Sequence, residues 1–120
     1  MLCLMARNDN YNKRDQTMAP REIAIKTATD FVNECRSKGL SFYKVFLFGS
    51  YAKENAYEYS DIDLLLISDQ FTDNVFENLK LFSKVNIKYP IIEAHPYPIK
   101  DYLSGNDFIK EIEKESIIIE

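Results

Sequence analysis

Cysteine is scarce in this chain: Cys3 and Cys35 are the only two in 120 residues. Two thiols so placed make neither a metal-ligand set nor a disulfide framework, and they suit a reducing, cytoplasmic setting. Long apolar runs are also missing. The opening MLCLM has no basic stretch before it and is too short for a signal peptide or a membrane span. Positive charge is in deficit, with 15 Lys and Arg against 19 Asp and Glu and a net charge of -4. That balance argues against non-sequence-specific nucleic-acid binding, where neutralising phosphates supplies most of the affinity. It also argues against a templated polymerase or a nuclease, which would show a basic face. Repeats, low-complexity tracts and internal linkers are absent, and the length suffices for one core but not for two.

What is present is organised. Residues 1–17 are polar and aperiodic after the first five, which predicts a disordered tail before a single domain at 18–120. Pro20 suits the first position of a helix and Gly39 the residue just past its end, with Ala24, Ala28, Phe31, Val32 and Cys35 on one stripe. A strand is expected over 42–48 and a second over 61–67, both apolar on two faces and so covered on both sides. A short helix is expected to begin at Ser50. A long helix is expected from Asp73 to about Asn86, with Val75, Phe76, Leu79 and Phe82 inward. A third strand should follow Pro90 over 91–94, and the segment HPYP from His95 should soon end it, because prolines lack the ladder donor. Asn106 or Asp107 should cap a last helix with Phe108, Ile109 and Ile112 inward, and residues 117–119 should form an edge strand. The fold class is α/β, a small mixed sheet with helices packed on it.

The run GSYAKENAYEYSDID, Gly49 to Asp63, carries the chemistry. It sets Gly-Ser, ten residues and then Asp-x-Asp between two apolar segments. A triphosphate needs close backbone approach and unpaired amides. Gly49 removes the Cβ that would block that approach, and a helix starting near Ser50 offers orphan N–H groups and a hydroxyl. A lone Gly-Ser is an ordinary turn, but Asp61 and Asp63 are harder to set aside. In a strand they project to the same side with Ile62 in the core. Two carboxylates so close repel each other unless a cation sits between them. Mg²⁺ takes such oxygens together with substrate phosphates, and two ions about 4 Å apart can clamp both the attacking and the leaving oxygen of an in-line displacement. Glu93, charged within the apolar Ile91-Ile92-Glu93-Ala94, is the candidate third carboxylate. Lys53 could reach a phosphate oxygen or be a solvated lysine. His95 could orient Glu93 or the nucleotide, although a packed loop histidine is the commoner outcome. Tyr51, Tyr57 and Tyr59 crowd the loop before Asp61 and are expected in core and rim packing.

These residues resemble the nucleotidyltransferase superfamily that includes DNA polymerase β, and within it the minimal nucleotidyltransferases. The match is clearest over residues 45–67 and extends to IIEAHPYP, Ile91 to Pro98. The resemblance implies a polymerase β palm-like core and transfer of a nucleoside monophosphate from an NTP, with AMP from ATP the expected case, to an acceptor hydroxyl. It implies that Gly49 and Ser50 hold the triphosphate, that Asp61, Asp63 and Glu93 bind two Mg²⁺ ions, and that Glu93 can serve as base. Glu54 departs from the pattern, since relatives usually have glycine there. Glu93 stands where many relatives have aspartate.

With no second domain for an acceptor, the acceptor should arrive on a separate molecule, or the site should be completed in a homo-oligomer. Similar small proteins accompany HEPN-domain ribonuclease toxins as antitoxins, some by attaching AMP to a toxin tyrosine. A HEPN toxin is therefore the expected partner, with no membrane and no nucleic acid. A binding antitoxin with a degenerate nucleotide site is the alternative, favoured by Glu54. An aminoglycoside nucleotidyltransferase would need an extra helical domain. A metal-dependent glycosyltransferase would need a longer chain and would leave Gly-Ser unexplained.

Overall fold

The structure is a computed structural model, and it describes residues 19–53 and 60–120. The expected tail at 1–17 lies outside these residues, as do Glu54, Tyr57 and Tyr59. Helix α1 runs Pro20–Ser37, opened by proline and closed by Lys38 with Gly39 at φ +98°. Ala24, Ala28, Phe31, Val32 and Cys35 are buried along it, as the stripe predicts. Strand β1 is Lys44–Phe48 and strand β2 is Ile62–Ser68. Helix α2 is Val75–Lys88, strand β3 is Ile92–Pro98, helix α3 is Ile99–Leu103, helix α4 is Asp107–Lys114 and strand β4 is Ile117–Ile118.

The four strands form one mixed sheet in the order β3-β2-β1-β4. Strand β1 is antiparallel to β2 and β4, and β2 is parallel to β3. The two central strands are covered on both faces. Val45, Leu47, Leu64 and Leu66 meet α1 and α2 on one side, through Phe31, Val32, Phe82 and Val85. Phe46, Leu65 and Ile67 meet Ile109 on the other, with Tyr102 and Ile112 packed against them. Asn106 caps α4 by accepting from the Ile109 amide at 3.1 Å.

Three expectations need correction. Strand β3 does not stop at Ala94 but carries both prolines to its end. The Ile62 amide donates to the Ile91 carbonyl at 2.8 Å, so the odd residues of β3 turn their backbone groups toward β2. Pro96 and Pro98 therefore lack a donor only on the outer edge, where no strand among the described residues would receive it. In α2 the inward stripe is Asn78, Phe82 and Val85, while Val75 and Phe76 are 61% and 77% exposed and Leu79 is also at the surface. Asn78 takes the inner position because it closes the preceding loop. It accepts from the Thr72 amide at 2.8 Å and donates to the Thr72 carbonyl at 2.7 Å. Phe108, expected inward on α4, is half exposed. The short helix α3 was not anticipated; five residues give too little periodicity to read.

Candidate active site

Strand β1 ends where β2 begins, because the two are antiparallel, and β3 begins beside the start of β2, because those two are parallel. The register sets Phe48 opposite Asp63 and Asp63 opposite Glu93. Residues paired across strands share a face, so one end of the sheet presents Phe48, Asp63 and Glu93 side by side. His95 follows Glu93 by two residues and joins the same face, paired with Leu65. The start of β3 is pinned by Asn86, whose amide donates to the carbonyls of Tyr89 at 3.3 Å and Ile92 at 3.0 Å.

Ligand-type atoms of Asp63, Glu93 and His95 all lie within 4.8 Å of one another. His95 Nε2 is 3.7 Å from Asp63 Oδ1 and 4.0 Å from Glu93 Oε1. The imidazole packs on Phe48, with ring centroids 5.4 Å apart. Its Nε2 is buried and has no hydrogen-bond partner among the described residues. Burial pushes the Asp63 carboxyl up to about 6; hydrogen bonding and charge from Glu93 add to this, His95 opposes it, and Asp61 contributes least. A carboxylate held that high is one whose charge the site does not yet compensate, which is the condition a divalent cation would meet.

The Gly49 bend faces this group. Residues 49–51 form a 3₁₀ turn with Gly49 at φ +81°. The turn closes on the Gly49 carbonyl, which accepts from the Ala52 amide at 3.1 Å and the Lys53 amide at 3.2 Å. Arg21 of α1 fastens the far side of the turn, donating through Nε to the Tyr51 carbonyl at 3.2 Å and through its guanidinium to the Ala52 carbonyl. Tyr51 is buried in the core, as packing predicts. Arg21 was not foreseen as part of the site, since nothing in a helix-start arginine marks a contact 30 residues away.

Of the expected residues, the structure brings Gly49, Asp63 and Glu93 together, with Ser50 on the turn. Asp61 precedes β2, is exposed and falls outside the close group, although its charge acts on Asp63 and Tyr51. His95 belongs to the group, where a packed loop residue was expected. The Glu-x-His spacing on a strand is the signal that could have found it. Lys53 sits at the rim of a groove of about 270 Å³, with its Nζ 3.6 Å from Glu115 Oε1. Phe48, Gly49, Phe108, Glu111, Ile112 and Glu115 line the rest of that groove.

The nucleotidyltransferase domain family matches residues 28–119, which include every one of these site residues except Arg21. The chain belongs to this family. Among relatives of this chain are two proteins of Methanocaldococcus jannaschii, each named "putative protein adenylyltransferase". One is 38% identical over 68 residues, covering 56% of this chain and 65% of the relative. The other is 33% identical over 61 residues, covering 50% and 42%. The chain thus spans less than two thirds of the length of these relatives. In fold, the chain resembles a crystal structure named "putative nucleotidyltransferase" from Sulfolobus solfataricus, with a TM-score of 0.61, 20% identity and coverage of 82% of this chain and 80% of that one. It also resembles a toxin-antitoxin structure with AMP-PNP, with a TM-score of 0.54, 15% identity and coverage of 77% and 72%. The mixed sheet with helices on both faces is therefore the nucleotidyltransferase fold. No helix among the described residues is long and apolar enough to cross a membrane.

Proposed function

We propose that this chain transfers AMP from ATP to a hydroxyl group of a separate protein, and that the acceptor is a toxin, of the HEPN class, silenced by the modification. One observation carries the chemical part: a positive-φ glycine bend lies directly against a carboxylate that is paired in register with a second one. Phosphate binding and cation binding therefore occupy one corner of the sheet. The names of the relatives support a protein acceptor, and the toxin-antitoxin neighbour supports the biological role.

In this reading the amides of the Gly49 turn and the Ser50 hydroxyl hold the triphosphate. The nucleoside lies in the groove between Phe48 and Phe108. Asp63 and Glu93, with the exposed Asp61 beside them, would hold divalent cations, with Mg²⁺ where the ligands are all oxygen. When bound, the cations neutralise the phosphates and the charge developing on the pyrophosphate leaving group. Glu93 has a side chain 60% exposed, so an acceptor can reach it from solvent. The acceptor oxygen bonds to the α-phosphorus as the bond to the bridging oxygen of pyrophosphate breaks, and the hydroxyl proton passes to the Glu93 carboxylate.

The experiment is incubation of the purified chain with a HEPN toxin, divalent metal and ATP labelled at the α-phosphate. Label should appear on the toxin with wild type and not with Asp63→Asn. An unlabelled toxin that is nevertheless neutralised equally by wild type and Asp63→Asn would replace transfer with inhibition by contact.

A further inference from the structure

We infer that His95 is a direct metal ligand, so that Asp63, Glu93 and His95 form a mixed oxygen-nitrogen position favouring a first-row transition dication over Mg²⁺. The inference rests on the proposed function only in requiring a divalent cation at the carboxylates.

Distance separates this role from the alternatives. At 3.7 Å and 4.0 Å, His95 Nε2 is too far from Asp63 and Glu93 for a hydrogen bond to either. Those two separations fall within the span that two ligands of one ion can have, and a small side-chain movement would bring the whole group, now within 4.8 Å, onto a single cation. Two ligands each about 2.1 Å from a cation lie at most about 4.2 Å apart, and closer for any angle below linear. A buried ring nitrogen with no partner would ordinarily be a cost. It is accounted for if the nitrogen gives its lone pair to an ion between the carboxylates. The backbone enforces the placement. Strand β3 continues through Pro96, so His95 keeps the face of Glu93, and Phe48 packs on the ring from the neighbouring face position.

Donor type then decides the metal. Mg²⁺ is satisfied by oxygen and gains little from imidazole, whereas transition dications bind imidazole well. A third oxygen at this position would leave no preference; a nitrogen creates one. The exposed Asp61 remains available for a second, all-oxygen position shared with nucleotide phosphates, where Mg²⁺ would serve.

Mn²⁺ alone is the probe, because it is paramagnetic and takes both oxygen and nitrogen. Pulsed electron paramagnetic resonance of Mn²⁺ bound to the wild-type chain should show coupling to a ¹⁴N nucleus. His95→Phe keeps a ring against Phe48 and removes the nitrogens. In that variant the coupling should vanish and Mn²⁺ should bind about tenfold or more weakly, with Mg²⁺ affinity changed much less. Bound Mn²⁺ without nitrogen coupling in wild type would overturn the inference and leave the proposed transferase standing. So would equal weakening of Mn²⁺ and Mg²⁺ in a folded His95→Phe. Failure of wild type to bind Mn²⁺ at all, with or without AMP-PNP, would remove the cation and overturn both. The wild-type spectrum answers the question even if the variant does not fold.

Discussion

Gly49 and Asp63 are packed so closely that Gly49 has no room for a side chain: a Cβ built on it would lie 3.3 Å from Asp63 Cγ and well inside the contact distance of Oδ2. Gly49 also sits at φ +81°, so Gly49→Ala carries two penalties, backbone strain and collision with the carboxylate. Gly39 separates them. It has φ +98° with nothing within 4 Å of the added carbon. Gly39→Ala should cost about 1–2 kcal/mol from the backbone alone. Gly49→Ala should cost at least about 1 kcal/mol more and should abolish transfer, because Asp63 must move. Denaturant titration of the two variants checks this, and equal losses would mean that the carboxylate is not held against the bend.

The two aspartates should separate by assay. Asp63 is within the close ligand group and Asp61 is outside it. Asp63→Asn is expected to abolish both transfer and binding of metal in the absence of nucleotide. Asp61→Asn is expected to abolish transfer, yet to leave metal binding without nucleotide within about threefold of wild type, under 1 kcal/mol. Equilibrium dialysis with Mn²⁺ against a transfer assay measures both. Parallel loss of metal in the two variants would place Asp61 inside the first cation position.

Asp63 should give the apo protein an unusual pH dependence. Its carboxyl is raised from 3.8 to about 6, chiefly by burial and then by Glu93. Between those values the folded chain holds a proton that the unfolded chain has released. The stability from this group is therefore complete below the lower value and is lost as pH rises through the upper one. That is the reverse of a salt-bridged carboxylate. From about pH 4 to about pH 7 the Tm of metal-free wild type should fall relative to that of Asp63→Asn. Saturating divalent cation should narrow or reverse the gap above about pH 6, since it binds the ionised form. A Tm difference independent of pH would mean that Asp63 ionises normally.

Much of the site was legible because spacing and register are linked. Ten residues between Gly-Ser and Asp-x-Asp allow two antiparallel strands to bring Gly49 beside Asp63. The apolar runs 45–47 and 64–67 marked central strands, because only burial on both faces tolerates such runs. Glu93 stood out as a charge in an apolar strand, and it is paired with Asp63. What could not be read was anything set by the edge of the sheet or by distant partners. Proline stops a central strand but not the outer half of an edge strand, so His95 reached the site when the rule for HPYP set it in a loop. Arg21 reaches the Gly49 turn through α1 packing, which leaves no local mark.

Helix α2 shows the limit of periodicity most clearly, and it offers a test. Val75, Phe76, Leu79 and Phe82 read as one apolar stripe, yet the buried set is Asn78, Phe82 and Val85. Hydrophobicity alone cannot rank a buried asparagine above an exposed phenylalanine. The preference arises because Asn78 satisfies both backbone groups of Thr72 in the turn before the helix. Asn78→Ala would strand that amide and carbonyl near the core and should cost about 2–3 kcal/mol. Phe76→Ala removes a larger apolar group from a 77% exposed position and should change stability by less than about 0.5 kcal/mol. If the order is reversed in urea denaturation, the helix is rotated about its axis from the orientation described. The β3 start that α2 pins through Asn86 would then be misplaced as well, and Glu93 with it.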